Sequence, residues 1–233
     1  MVNINKRIEV NYMITIDKLE NYIENLWLRY KEQYNLTNCE FNICNWTDFI
    51  QSSYTFRYKH LCNTKKQIIN AILYDSNLYC YSFACSLYDI DKFNNVIHRI
   101  IIPRENLYKI LYNIAYEYKI SISDDEILEY LDLVIKHEIG HVLHINKIIN
   151  ENGIKDGFLL LNTNYDNDMN EYINYLNEID EDIDSEYEYQ KASLDKYYQM
   201  NNESEANKIV NNNVTRLKEL ELKIRLGLNG NEI

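Results

Sequence analysis

Apolar side chains recur at intervals of three and four residues between positions 16 and 34, and mostly polar and charged side chains fill the positions between them. This spacing places the apolar side chains on one face of a helix. We therefore predict an amphipathic helix whose buried face consists of Ile16, Leu19, Ile23, Leu26, Trp27 and Tyr30. Residues 39–75 show no clear period, and short helices are the expectation there.

The pattern changes near residue 78, where two short segments are rich in apolar, aromatic and β-branched residues. They read LYCYSFACSLYDI (78–90) and NVIHRIII (95–102), with a turn predicted in DKFNN between them. Pro103 closes the second segment, because a proline cannot donate a hydrogen bond to a strand ladder. We predict a β-hairpin here.

Two helices are predicted next, over residues 104–120 and from Asp124 to about residue 149. Ser123 and Glu126 have the spacing of a capping box, and the acids at 124 and 125 suit the positive end of a helix dipole. Gly153 offers a stop for the second helix. This second helix is the best defined element of the sequence.

The chain after Gly153 is less regular. Residues 156–169 are predicted to form a loop around a short apolar segment that could be a strand. A long acidic helix follows, with one face made of Tyr172, Leu176, Ile179, Ile183, Tyr187, Gln190 and Leu194. A last helix is predicted over residues 204–228, with Val210, Val214, Leu217 and Leu220 on its apolar stripe.

Charge and composition narrow the class of protein. The 233 residues carry 24 basic and 36 acidic side chains, a formal net charge of −12, with no block of Lys or Arg. Such a surface repels phosphate backbones, so nucleic acid is not an expected partner. No apolar run suits a membrane helix and no signal peptide is evident, so we expect a cytoplasmic protein that binds no membrane. Its five cysteines are expected to be reduced and mostly buried.

Three of the five histidines lie between residues 137 and 144. On a helix, His137 and His141 share a face, and their ring nitrogens can converge on one ion. Glu138 is placed to take a proton from a water molecule that zinc activates. The alternative is that these are core histidines with ordinary hydrogen bonds. We predict that His137 and His141 bind Zn²⁺. His144 is expected to pack in the core or to contact one of the residues that bind the zinc.

The segment HEIGHVLH (137–144) resembles the zincin metallopeptidases. The segment EYEYQKAS (186–193) resembles the Glu-x-x-Ala-Asp/Asn element that supplies a glutamate ligand in gluzincins, including the ImmA/IrrE-like peptidases. Carried over position by position, this resemblance implies Glu186 as the third zinc ligand and Gln190 as a residue that orients a histidine. Tyr189 and Gln190 depart from the alanine and the Asp or Asn of that element, so this part of the resemblance is weaker.

Helical phase gives a separate test of the third ligand, which must face inward with the apolar stripe. Relative to Leu176, Asp180 points about 40° to one side and Glu186 about 80° to the other. Glu178 points away from the stripe, and Glu181 lies well off it. Glu186 is preferred, and Asp180 and Glu181 stay open as alternatives.

The order of elements, two strands, a connecting helix and then the histidine helix, resembles a minimal zincin core, in which an edge strand holds the substrate. SprT-like peptidases share this order but take a third histidine, and no histidine follows His144. The resemblance implies an α+β, zincin-like fold, mostly helical, with a small antiparallel or mixed sheet packed on the active-site helix. We expect an N-terminal helical region (1–75), a metallopeptidase core (76–200) and a C-terminal helix (201–233).

These observations favour a zinc-dependent peptidase that acts on a protein or peptide, with Glu138 as general base. One alternative is a non-catalytic structural or interaction protein that keeps the zincin fold. The departures at Tyr189 and Gln190 motivate the loss of activity, and a composition typical of an AT-rich genome motivates a phage or mobile-element origin. Another is a regulator that cleaves one particular repressor, as the resemblance to ImmA-like proteins implies. The sequence does not identify the substrate.

Overall fold

A computed structural model of the chain describes residues 14–45, 48, 83–116, 122–183 and 185–229. Within these ranges the protein is α+β and mostly helical, with seven helices and one three-stranded sheet. The strands are β1 (Cys39–Cys44), β2 (Cys85–Ile90) and β3 (Val96–Pro103). The helices are α1 (Ile16–Gln33), α2 (Arg104–Tyr116), α3 (Asp124–Asn152), α4 (Ile154–Asp182), α5 (Glu186–Tyr197), α6 (Asn201–Ile209) and α7 (Val214–Asn229).

The sheet is mixed and has the order β1-β3-β2. Strand β2 runs antiparallel to β3, as the predicted hairpin requires, and Asp91 closes the turn by accepting the backbone N–H groups of Phe93 and Asn95. Strand β1 runs parallel to β3 on its other side. The expectation of short helices from residue 39 was therefore wrong for residues 39–44, because this six-residue segment is held by pairing with a strand far along the chain. Most of residues 45–75 lies outside the described residues.

Helix α3 is the central element of the fold, in contact with β2, β3, α1, α4, α6 and α7. Its predicted start is confirmed: the Ser123 hydroxyl accepts the N–H of Glu126, and the Glu126 carboxylate accepts the N–H of Ser123. Gly153 follows its last residue with a φ of 78°, a conformation that favours glycine. The capping box therefore fixes where the histidine helix begins.

The largest hydrophobic cluster joins α1, the sheet, α3, α5 and α7, through buried residues that include Leu19, Ile100, Leu131, Leu194 and Leu217. This cluster contains residues from all three segments into which we divided the sequence, and that division stays a prediction. A smaller cluster around Ile145, Ile149 and Leu161 joins α3 to α4. None of the helices in the described ranges is both long and apolar enough to cross a membrane.

The C-terminal half differs from the sequence prediction. Residues 154–182 form one helix, α4, which includes residues 156–169, where we expected a loop with a short strand. This helix packs closely on α3, since a Cβ at Gly157 would lie 3.0 Å from the Cα of Ile149. The predicted long helix breaks after Asp182, and Ser185 caps α5. The predicted last helix breaks around Asn211, which has a φ of 50°, so α6 and α7 are separate.

Three of the five cysteines lie in the described strands, and all three are free thiols. Burial raises the pKa of the Cys39 thiol to about 12 and that of Cys44 to about 11. These two thiols are therefore unreactive at neutral pH. The expectation of reduced, buried cysteines is confirmed for them, while Cys62 and Cys80 lie outside the described residues.

Candidate metal centre

His137 and His141 lie one turn apart on α3, and the structure brings their side chains together as the spacing predicts. Their Nε2 atoms are 3.1 Å apart, and the rings meet edge to face with centroids separated by 4.6 Å. His137 is buried, with 5% of its surface exposed, and His141 is partly buried. The two rings therefore present ring nitrogens to one point at the edge of the core.

The third member of this group is Glu203 on α6. Its Oε2 lies 2.9 Å from Nε2 of His137 and 3.3 Å from Nε2 of His141. These are hydrogen-bond distances, but within the described residues this buried oxygen has no hydrogen-bond partner of acceptable geometry. The three side chains could hold a metal ion. Ligand atoms of a tetrahedral site with bonds of about 2.0–2.1 Å are about 3.3 Å apart, close to the observed spacing.

A buried amide fixes the orientation of His137. Nδ1 of His137 is 3.1 Å from Oδ1 of Asn207, and that oxygen also accepts a hydrogen bond from Nδ2 of Asn212. Nδ2 of Asn207 donates to the backbone oxygen of Glu203, which sets which end of the amide faces the ring. When His137 is neutral, as a metal ligand must be, its proton is therefore on Nδ1, and the lone pair of Nε2 faces Glu203 and His141. This is the arrangement expected of a metal-binding histidine.

Burial and neighbouring charges shift the pKa values of His137 and Glu203 in opposite directions. Burial tends to lower the pKa of His137, but the adjacent Glu203 carboxylate outweighs it and raises that pKa. Burial tends to raise the pKa of Glu203, but His141 and His137 hold it below its ordinary value. Glu203 is therefore ionised at neutral pH, as a metal ligand must be.

Glu138 follows the first histidine and is buried, with 6% of its surface exposed. Burial raises the pKa of its carboxyl group, while His137, His141 and a hydrogen bond from the backbone N–H of Ser86 oppose the rise. Ser86 belongs to β2, one of the two edge strands of the described sheet. The carboxylate therefore lies between the histidine pair and the edge strand.

The structure does not bring the third ligand predicted from the sequence to the two histidines. Glu186 is exposed in the first turn of α5, and its Oε1 accepts a hydrogen bond from Gln190, so neither residue joins the group of His137, His141 and Glu203. Gln190 also accepts a hydrogen bond from Arg225, whereas Asn207 is the residue that orients a histidine.

The other acids considered for this role do not replace Glu203. Glu178 is exposed on α4, and the side chains of Asp180 and Glu181 lie outside the described residues. Glu203 is thus the carboxylate that the described chain brings to the two histidines.

His144 is buried on α3, and within the described residues neither of its ring nitrogens has a hydrogen-bond partner. Burial lowers the pKa of this imidazole, so the ring is neutral at pH 7. Because the ring is buried, neutral and without a hydrogen-bond partner among the described residues, it fits a packing role better than a contact with a zinc-binding residue.

A signal for Glu203 was present in the sequence. Residues 203–207 read Glu-Ser-Glu-Ala-Asn, which matches the Glu-x-x-Ala-Asp/Asn element at each specified position. The segment at 186–193 departs from this element twice. The better match was missed because the third ligand was sought on the acidic helix that directly follows residue 170.

Comparisons of the chain with protein-family models, with curated proteins and with solved structures found no match.

Proposed function

We propose that this protein is a zinc-dependent peptidase, with His137, His141 and Glu203 as zinc ligands and Glu138 as general base. The observation that carries the proposal is the convergence of two imidazoles and one ionised carboxylate, with a second carboxylate beside them. The resemblance of HEIGHVLH to zincin peptidases is now joined by the match at residues 203–207.

The donor set favours zinc over harder ions. Two imidazole nitrogens and one carboxylate oxygen suit Zn²⁺, whereas Mg²⁺ and Ca²⁺ prefer oxygen ligands throughout. When bound, Zn²⁺ would polarise a substrate carbonyl and make water a stronger acid. Three protein ligands correspond to a catalytic zinc site, since structural sites use four.

Glu138 supplies the proton transfers in this proposal. Its carboxylate takes a proton from the attacking water and then delivers that proton to the nitrogen of the departing amine. Glu138 can serve in this way because it adjoins His137 without belonging to the group of three ligand atoms. The N–H of Ser86 on β2 lies near enough to this carboxylate to lower its pKa.

The proposed substrate is an extended polypeptide segment. Strand β2 lies at the edge of the described sheet and contacts the histidine helix. A peptide that pairs with such an edge passes the metal centre in an extended conformation. Recognition through main-chain groups would leave specificity to side chains around the metal centre.

The first test measures zinc content and cleavage together. Purified wild-type protein is expected to retain about one Zn²⁺ per chain after dialysis. Glu138→Gln is expected to keep this zinc and to lose at least about 100-fold in cleavage rate, because the amide cannot accept a proton. Cleavage is followed by comparing peptide termini in proteomes of cells that express each form.

Glu151→Gln is the matched control, because Glu151 is an exposed acid on the same helix. Equal fragment patterns for wild type and Glu138→Gln, with zinc present in both, would favour the non-catalytic alternative. That alternative rested on the departures at Tyr189 and Gln190, and it loses this support once Glu203 takes the place of Glu186. A single fragment that depends on Glu138 would indicate a dedicated substrate.

A further inference from the structure

Helix α6 carries Glu203 and begins without a cap of its own. The helix has nine residues, and its N-cap residue, Met200, makes no side-chain hydrogen bond to the first turn. The first backbone N–H groups of any helix lack partners within the helix. Glu203 is the third residue of α6, so its position depends directly on whether this turn is ordered.

The missing cap comes from another helix. Oδ2 of Asp168, on α4, accepts the backbone N–H of Asn202 at 3.1 Å. The N–H of Ser204 bonds to the backbone oxygen of Met200 and starts the regular helical pattern. A carboxylate at this end of a helix also interacts favourably with the helix dipole. Asp168 therefore satisfies the N–H of the residue that immediately precedes Glu203.

None of the described side chains of α4 belongs to the group of His137, His141 and Glu203. We infer that Asp168 is nevertheless a positioning residue of the metal centre, because it holds the first turn of α6 in the place where the Glu203 carboxylate meets the two histidines. This inference rests on the proposed function, in which those three side chains bind zinc. It gives Asp168, which the sequence analysis placed in a loop, a role in metal affinity.

The test compares zinc affinity with the stability of the metal-free protein. Asp168→Ala removes the acceptor and is expected to weaken zinc binding about tenfold, the lower end of the effect of losing a group that supports a ligand. Asp168→Asn keeps an oxygen acceptor but loses the charge, and is expected to weaken binding only about threefold. Dissociation constants are measured by competition with a chromophoric chelator, and melting temperatures on protein stripped by chelation.

Asp166→Ala is the matched control, since Asp166 is an exposed acid on the same helix and is expected to leave zinc affinity unchanged. If Asp168 only stabilised the fold, Asp168→Ala would lower the melting temperature of the metal-free protein but would leave the zinc dissociation constant unchanged. That result would overturn the inference. If Asp168→Ala does not fold, the Asp168→Asn titration decides, and wild-type affinity in that variant overturns it. Absence of zinc binding by the wild type would overturn the proposed function as well.

Discussion

Gly140 and Ala206 set how closely the two ligand-bearing helices approach. A Cβ at Gly140 would lie 2.6 Å from the carbonyl carbon of Ala206 and still nearer to its oxygen. Since real side chains do not tolerate such contacts, the helices can cross at this distance only with glycine at 140. Gly140 directly precedes His141 on α3, and Ala206 follows Glu203 by three residues on α6. The small residues thus determine whether the carboxylate reaches the imidazoles.

Gly140→Ala is expected to lower the free energy of unfolding by about 2–3 kcal/mol, because α3 and α6 must separate to admit the methyl group. Zinc affinity should fall in parallel. Gly153→Ala is the comparison, since a Cβ there has open space and only the positive φ opposes it. We expect it to destabilise by about 1–3 kcal/mol without changing zinc affinity. Denaturant unfolding and zinc titration of both variants check this, and unchanged zinc affinity in folded Gly140→Ala would contradict the reasoning.

At the level of secondary structure, ion pairs connect the first turn of α3 to α7. The Glu126 carboxylate of the capping box lies 2.6 Å from Nζ of Lys223 and 3.4 Å from the Arg216 guanidinium. The Lys223 hydrogen bond, the Ser123 N–H and the charge of Arg216 together lower the pKa of Glu126 to about 2. One residue therefore caps the histidine helix and attaches the last helix to it.

This depressed pKa predicts a pH dependence of stability. The folded-state pKa of Glu126, about 2, is below its ordinary value of 4.5. The stabilisation is therefore complete above about pH 4.5 and is lost as the pH falls from there toward 2. Glu126→Gln should lower the denaturation midpoint at pH 6 and narrow the difference from wild type below pH 4. Urea unfolding at several pH values measures this.

Asp125→Asn is the control for Glu126→Gln, because Asp125 is an exposed acid in the same helical turn. It should preserve the wild-type pH profile. A Glu126→Gln protein whose midpoint differs from wild type by the same amount at pH 6 and pH 3 would refute the linkage.

For some helices, the pattern of apolar and polar residues was sufficient to predict the boundaries. The boundaries of α1 and α3 followed from helical period and from a capping box, which are local properties of the sequence. The first part of helix α4 was missed because only part of its apolar segment is buried: Leu161 lies in the core, whereas Leu159 is 67% exposed. Packing of Gly157 and Phe158 on neighbouring elements stabilises this helix, and the residue pattern does not reveal that contact.

At the scale of the whole molecule, the metal centre joins two helices that are distant in sequence. Helices α3 and α6 meet within a fold whose main core includes both N-terminal and C-terminal elements. Tyr198 adds a further connection, since its ring contacts His137 edge to face and its hydroxyl donates to Glu221 on α7. A metal bound by α3 and α6 would therefore act as a cross-link that stabilises the folded chain as a unit.

Zinc is expected to raise the melting temperature of the metal-free protein. At a free zinc concentration of 100 times the dissociation constant, the stabilisation is about 2.7 kcal/mol, or about 5–10 °C for a chain of this size. His141→Ala should abolish the increase, and Mg²⁺ should not reproduce it in the wild type. Differential scanning calorimetry provides the measurement. An equal increase in His141→Ala would show that zinc acts elsewhere on the protein.

Local sequence is sufficient to specify the helix that carries His137, Glu138 and His141, because its cap and its 3.6-residue period depend on neighbours within a few positions. It also contained the Glu203 segment, but periodicity could not show which carboxylate faces the histidines. The packing of distant helices selects Glu203, through the close approach of α3 and α6 at Gly140 and the hydrogen bonds of Asn207 and Asp168. Contacts between distant segments depend on the packing of the whole core, and no local pattern specifies them.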